Sequence, residues 1–422
     1  MWYASKSDRA NIKEVVSNMD TVEVTKVTPP EPGSYIPIHT SDRALFKRCR
    51  RRWDWSSPAR RNLTPDVRFI QWGKNEFPLW YGTGIHFALE RLYTPGFQHD
   101  PVESWITFFD ITWAGGQVSE RYMRLTYDTE PQLTTPTTGI KDTVSVYQTR
   151  GLRDLLPNPP EEEFMEHREL GIGMMQFYKD YAERNDHFTV VMPEHEFHVP
   201  IFDLVIDGKP ALYCGIQDGI LFDNETERYG ILETKTAQRV DEEYHRKLEK
   251  DEQVTSYLWA AEVEAKVFDL PYKELDYVLY NALRKAFPRA PTPLKNGLPS
   301  INRQSESTTY ELFMEYITQN NLGVWFQDDE KAQNYAAWIR ELGDDQYIVR
   351  NKVRRNRAEI ESAGERIYLE TLDMLENPRI YPNVINDYPC LNCPFRMPCI
   401  MADDGSDAEL YLSDYYVPNK RR

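Results

Sequence analysis

Apolar positions change their rhythm along this chain. Between Phe188 and Thr236 they alternate or cluster as Val, Ile, Leu and Phe between turn signals, the period-two habit of strands. Three consecutive strands are expected, at Phe188 to Val205, Ala211 to Phe222 and Tyr229 to Thr236, joined at Asp207-Gly208 and near Asp223-Asn224. Leu275 to Leu283 reads as a further strand. Elsewhere the spacing is helical: from near Ser41, where Asp42 also suits a cap; from Gly84 to Tyr93, where Ile85, Leu89 and Leu92 recur; from Glu161 to Asp186; from Asp241 to Phe268; and over most of Thr308 to Leu375. The opening residues, with TPPEPGSYIP, lack periodicity and read as an arm. Thr- and Pro-rich residues 130 to 160 read as a long loop.

Strands in succession with helices on both sides predict an α/β protein with a mixed central sheet flanked by helices. The expected organisation is an arm over 1–40, a helical region over 41–187, a sheet-bearing core over 188–300 and a helical C-terminal region over 301–422. A chain of 422 residues suffices for one large elaborated domain or two smaller ones. No repeat and no GxxxxGK phosphate loop is present, so no intrinsic ATP-driven motor is expected. No apolar run approaches the roughly 20 residues needed to span a bilayer, and the N-terminus lacks a signal-peptide core. The expectation is a cytoplasmic protein with no membrane partner.

Period two places Glu233 and Lys235 on one face of their strand with Ile231. A carboxylate and an ammonium beside a buried face are costly unless they pair or bind an ion. Asp218, in CGIQDGILF, shares the parity of Cys214 and Ile216, and antiparallel pairing through the turn near Asp223-Asn224 brings it close to Glu233. Two converging carboxylates suit Mg²⁺ or Mn²⁺. Phosphodiester hydrolysis is the chemistry that fits, with Lys235 orienting water or neutralising charge in the transition state. The competing reading is an ordinary strand-edge ion pair, because an Asp followed by ExK recurs by chance.

A formal charge of −17 argues against a nucleic-acid partner, since phosphates are met by Lys and Arg. Distribution counts for more than the sum. KRCRRR at Lys47 to Arg52, then Arg60 and Arg61, and RNKVRRNR at Arg350 to Arg357 suggest a local basic patch on an acidic body. Five cysteines in a cytoplasmic chain are not expected to form structural disulfides. Cys214 sits in a strand pattern and reads as a core thiol. Cys390-x₂-Cys393-x₅-Cys399 has a single distant partner, Cys49. Four thiolates hold either Zn²⁺ or an iron–sulfur cluster.

Further features fall in a telling order. GTGIHFALERLY places His86 in a helix, VVMPEHEFHVPI supplies Glu194 and Glu196, then come Asp218, Glu233 with Lys235, and Gln253 four residues before Tyr257 on one helix face. This order resembles the RecB-like branch of the PD-(D/E)XK nuclease superfamily. The resemblance implies a restriction-endonuclease-like fold and a metal held by His86, Asp218, Glu233 and the carbonyl of Thr234. It makes Lys235 the catalytic lysine and sets Gln253 and Tyr257 beside the DNA path. Glu194 and Glu196 share a parity, so the pattern does not say which one approaches the metal. His187, His195 and His198 have no matching context and read as solvated or structural.

The cysteine set resembles the iron–sulfur clip of AddB-type subunits and CRISPR-associated RecB-like exonucleases. That likeness implies a 4Fe–4S cluster on Cys49, Cys390, Cys393 and Cys399 joining the chain's two ends, with Arg48, Arg50 and Arg51 at a DNA-facing edge. YNALRKAFPRAPTPLKNGLPSINRQ is similar to stand-alone phage-encoded members, which would act in a host cytoplasm. The implied function is a Mg²⁺- or Mn²⁺-dependent DNA exonuclease working on ends or single strands. Its alternatives are a flap or branch endonuclease and a non-catalytic DNA-binding subunit of a repair complex.

Overall fold

The computed structural model describes residues 30–31, 33–70, 76–94, 99–119, 132–134, 146–240, 242–272, 274–303, 306–376, 378–386 and 388–419. Residues 1–29 and 32 of the expected arm and 130–131 and 135–145 of the expected loop lie outside them. The elements run β1 (Ile36–Ile38), α1 (Thr40–Arg48), α2 (Arg50–Ser56), β2 (Leu63–Pro65), α3 (Glu76–Tyr93), α4 (Pro101–Trp113), β3 (Gly115–Ser119), β4 (Gln132–Thr134), β5 (Val146–Arg150) and α5 (Glu161–Asn185). There follow β6 (Phe188–Ile206), β7 (Lys209–Asp223), β8 (Arg228–Ala237), α6 (Glu242–Leu248), α7 (Glu252–Val267), β9 (Val278–Arg284), α8 (Tyr310–Gln319), α9 (Gly323–Asp328) and α10 (Glu330–Leu342). The chain closes with β10 (Ile348–Val353), α11 (Arg357–Leu375), α12 (Tyr388–Leu391), α13 (Arg396–Asp404), α14 (Ala408–Tyr415) and β11 (Tyr416–Pro418), besides short helical turns.

The central sheet is mixed and ordered β1-β7-β8-β9-β10, with β6 also on β7. Asp207 and Gly208 both take positive φ, 50° and 76°, the requirement of a tight two-residue hairpin turn, and so set Ile206 opposite Lys209. β8 and β9 pair in parallel, which demands a crossover. α6 and α7 supply it. The single helix expected there is broken because Asp251 caps α7, accepting from the N–H groups of Gln253 and Val254.

Two further differences concern the expected loop and the expected C-terminal helices. The expected loop over 130–160 contains β4 and β5, which with β3 form a separate sheet ordered β3-β5-β4. The run after Thr308 is interrupted by β10, which pairs antiparallel with β9. The sheet thus takes β1 and β10 from outside 188–300.

One sheet face buries Phe197, Tyr213, Ile231 and Val278 against Leu258 and Ala261 of α7. On the other side α3, α4 and α5 share a core of Trp80, Ile85, Trp105, Phe108 and Met175. The helix expected to open at Gly84 begins at Glu76, so the glycines of GTGIH are interior. Gly84 is needed for contact: a Cβ there would lie 2.4 Å from the Trp105 ring and 2.5 Å from that of Phe108. Gly84→Ala is therefore expected to cost roughly 1–3 kcal/mol by overpacking, and urea unfolding with no loss would contradict the crossing.

Asp223 closes the β7–β8 turn, accepting from the N–H groups of Glu225 and Thr226, from the Tyr277 hydroxyl at 2.7 Å and from Lys352 at 2.7 Å. Burial raises its pKa, but Lys352, Tyr277 and the two N–H groups outweigh burial and hold it well below the usual range. With the folded value depressed, the stabilisation is complete above the unfolded carboxyl's pKa of about 4 and is lost as pH falls through the lower folded value. Asp223→Asn should lower stability at pH 7 by about 2–4 kcal/mol and make the loss below about pH 4 shallower. Unfolding titrations at both pH values check the sign. Among the described residues no helix is long and apolar enough to cross a membrane.

Candidate active site

Three elements bring ionisable groups to one point. α3 sets His86 Nδ1 3.0 Å from Asp218 Oδ1 and 3.8 Å from Glu194 Oε1. Asp218 on β7 faces Glu194 on β6, because the ladder pairs Pro193 with Gly219 and His195 with Gln217 on either side. Glu194 takes a φ of 45°, a left-handed conformation costing about 1–3 kcal/mol for a non-glycine residue. Among the described residues, His86, Glu194 and Asp218 are the group whose ligand atoms lie within 4.8 Å of one another.

The β7–β8 ladder runs from Asp223↔Arg228 to Gly219↔Leu232, so the strands part where Asp218 and Glu233 begin. The freed N–H of Thr234 donates to Asp218 Oδ2. Lys235 Nζ donates to Glu233 Oε1, while Glu233 Oε2 is buried with no partner among the described residues. On the α7 side Tyr257 lies beside Glu233, and the Gln253 side chain bonds to it.

Burial disfavours a charged His86, yet Asp218 and then Glu194 outweigh it and push its pKa up to about 10. Burial raises the Asp218 carboxyl, but His86, Lys235 and the Thr234 N–H hold it below the ordinary range. Burial pushes Glu233 up to about 7 against the pull of Lys235, and it also raises Glu194.

The sequence-predicted residues are placed as follows. His86 and Asp218 meet, joined by Glu194; Glu233, Lys235 and Thr234 line the adjoining strand; Gln253 and Tyr257 back Glu233 from α7. Glu196 turns elsewhere, 3.7 Å from His198. His195 bonds Glu264 at 2.6 Å, and His187 is exposed near Glu225. Glu194 as the third member was beyond sequence reasoning, since two equal parities offer no signal of the backbone's left-handed turn. The donor set fits a divalent ion: two carboxylates and an imidazole converge, and a buried carboxylate oxygen beside them lacks a partner.

Many cations of the basic runs are engaged in pairs and stacks. Arg50 stacks over Phe46 and Tyr381, Arg51 pairs with Asp403, and Lys47 bridges Glu252 and Glu370. Arg60 and Arg61 pair with Asp54 and Glu409. In the second run Arg350, Lys352, Arg354 and Arg357 meet Asp186, Asp223, Asp276 and Glu262. Carboxylates that make the chain acidic thus pair with several of these cations.

All five cysteines are free thiols. Cys214 is buried, and burial pushes its thiol up to about 12. Burial also raises the Cys393 thiol, with Arg52 opposing and the neighbouring Cys49 and Cys390 reinforcing. Arg51 Nη1 donates to Cys399 Sγ at 3.3 Å. These thiols share a neighbourhood, but no three of them come within 4.8 Å of one another among the described residues, so they do not form a closed single-ion set. The chain's ends are joined there in any case: β2 pairs with β11, and Asn62 bonds the Asn419 carbonyl.

A family model described as the PD-(D/E)XK nuclease superfamily matches residues 40–400. No curated protein matches the chain. A solved structure titled "Crystal structure of SSO0001" is 11% identical, over 56% of this chain and 78% of that one, with a TM-score of 0.24, a likeness too slight to build on.

Proposed function

We infer what this chain does from one premise: it belongs to the PD-(D/E)XK nuclease superfamily, which makes it a hydrolase acting on nucleic acid. The finer reading is a RecB-like, Mg²⁺- or Mn²⁺-dependent DNA exonuclease that hydrolyses phosphodiester bonds at ends or in single strands. The observation that carries the metal dependence is the meeting of His86, Glu194 and Asp218 beside the Glu233–Lys235 pair. His86, Asp218, Glu233 and the Thr234 carbonyl would hold the ion in the RecB-like manner, and Glu194 stands with them. When bound, such an ion polarises the scissile phosphate and lowers the pKa of water.

The chain's own groups supply the rest. Burial works against charge on Lys235, but Glu233 and Asp218 raise its pKa, so it stays cationic at neutral pH. Its side chain is 34% exposed while that of Glu233 is 2% exposed, so Lys235 is the member of the pair that reaches substrate. It orients the attacking water and offsets charge growing on the phosphate. Lys235→Ala should lower kcat about 10²–10³-fold while calorimetric Mn²⁺ affinity stays near wild type. Affinity lost together with activity would contradict that division of roles.

A 4Fe–4S cluster on Cys49, Cys390, Cys393 and Cys399 is part of the same proposal. Its support is the motif spacing and the nearness of Cys49 and Cys390 to Cys393. Exonuclease action is tested with one strand sequence in linear and circular form. Degradation of the linear form alone is expected, and equal cutting of the circle would make the protein an endonuclease.

A further inference from the structure

Thr234 separates Glu233 from Lys235 and gives its N–H to Asp218, but its side chain faces the opposite side of the strand. There its Oγ1 accepts from Asn281 Nδ2 at 3.3 Å. The other hydrogen of Nδ2 goes to the Tyr178 hydroxyl at 3.0 Å, and Asn281 Oδ1 accepts from Arg350 Nε at 3.1 Å. Arg350 Nη2 also donates to Tyr178, at 3.1 Å. With both lone pairs engaged, Tyr178 must give its own hydrogen to the Tyr93 hydroxyl, 2.8 Å away. Tyr93 in turn donates to Asp186 at 2.8 Å, and Asp186 receives Arg350 Nη1 at 2.5 Å. The direction of every bond in the network is thereby fixed, as is the orientation of the Asn281 amide.

The network spans α3, α5, β8, β9 and β10. Tyr178 and Asn281 are fully buried, and Thr234 is nearly so. Tyr93 lies two turns beyond His86 on α3, at a spacing that returns to the same helix face. The chain Tyr93–Tyr178–Asn281–Thr234 therefore runs from the helix that carries His86 to the strand that carries Glu233 and Lys235. Apolar packing alone tolerates small sliding of a helix over a sheet, whereas a closed set of directional bonds does not. Misplacement of about 1 Å in a catalytic set costs on the order of 10²-fold in rate.

We propose that Tyr178, Asn281 and Arg350 are positioning residues that register the His86 helix against the Glu233–Lys235 strand and so set the spacing of the ligands for a divalent ion. This rests on the metal-dependent nuclease reading above. It also gives a role to the first residue of the RNKVRRNR run, which lies inside the fold rather than on a DNA-facing surface.

The test uses the full chain in three forms: wild type, Tyr178→Phe and Thr234→Val. Each is measured for Mn²⁺ affinity by calorimetry without DNA, for kcat and KM on DNA, and for thermal unfolding. Tyr178→Phe and Thr234→Val should weaken Mn²⁺ binding about tenfold or more and lower kcat with KM unchanged. Thr234→Val breaks only the last bond, so it decides the matter if Tyr178→Phe does not fold. A lower Tm with unchanged Mn²⁺ affinity and kcat in both variants would overturn the proposal, leaving the network merely structural. Wild-type protein that binds no Mn²⁺ and cuts no DNA would overturn the nuclease reading, and this inference with it.

Discussion

Asp218→Ala is expected to abolish cleavage, lowering turnover by at least about 10³-fold, because a site that works by Lewis-acid polarisation and water activation loses several kcal/mol of transition-state stabilisation when it loses its ion. Asp218 is the point at which the site converges. One oxygen meets His86 and the other accepts the Thr234 N–H, so the same carboxylate holds the imidazole and the backbone of the ExK strand. Its removal leaves His86 with Glu194 alone, at 3.8 Å. Asp218→Asn keeps the shape and part of the hydrogen bonding but not the charge, and should be nearly as inactive. Glu233→Ala should also be inactive, for loss of the buried oxygen that has no partner among the described residues. Retention of near-full metal-dependent activity in any of these folded variants would remove the site assignment.

The second large effect concerns the cysteines. Purified protein should be brown and contain about four irons per chain. Cys49→Ser should lose the iron as completely as Cys393→Ser, while Cys214→Ser keeps it, because Cys214 is sealed in β7 with its thiol turned to the Leu212 carbonyl. A cluster that joins the chain's two ends, as the family likeness implies, would destabilise the fold when lost. The structure alters that expectation. The β2–β11 ladder, the paired bonds of Arg61 with Glu409 and the Arg51–Asp403 pair join the same regions independently. The iron-free variants should therefore stay folded, and iron analysis together with circular dichroism separates cluster loss from unfolding. Colourless protein with one zinc per chain, also when purified without oxygen, would overturn the cluster.

Why some of this is readable from residues and some is not has a physical basis. β6, β7 and β8 declare themselves because each keeps period two for many residues and because Asp207-Gly208 needs little but its own φ values to turn. Asp218, Glu233 and Lys235 follow from parity on those strands. β10 stays hidden because its Arg350 and Lys352 look like a solvated face in isolation. Their partners Asp186 and Asp223 lie far away in sequence and become visible only when the chain is folded. The break between α6 and α7 is signalled by Asp251, a good cap placed inside a helical pattern. Glu194 is different again. Its selection over Glu196 depends on a backbone distortion opposite Asp218 that no side-chain pattern encodes. The long helix around His86 is underestimated because Gly82 and Gly84 read as a start, whereas Gly84 admits the Trp105 and Phe108 rings.

The central claim is that this chain cuts DNA with an ion held by His86, Asp218, Glu233 and the Thr234 carbonyl, with Glu194 beside them. Its most direct test is incubation of purified wild-type protein with end-labelled single-stranded DNA in Mg²⁺ or Mn²⁺, and in parallel with EDTA. Progressive loss of the strand in either ion, and none with EDTA, is the expected result. DNA left intact with both ions by folded, iron-loaded protein, or degraded equally in EDTA, would contradict it.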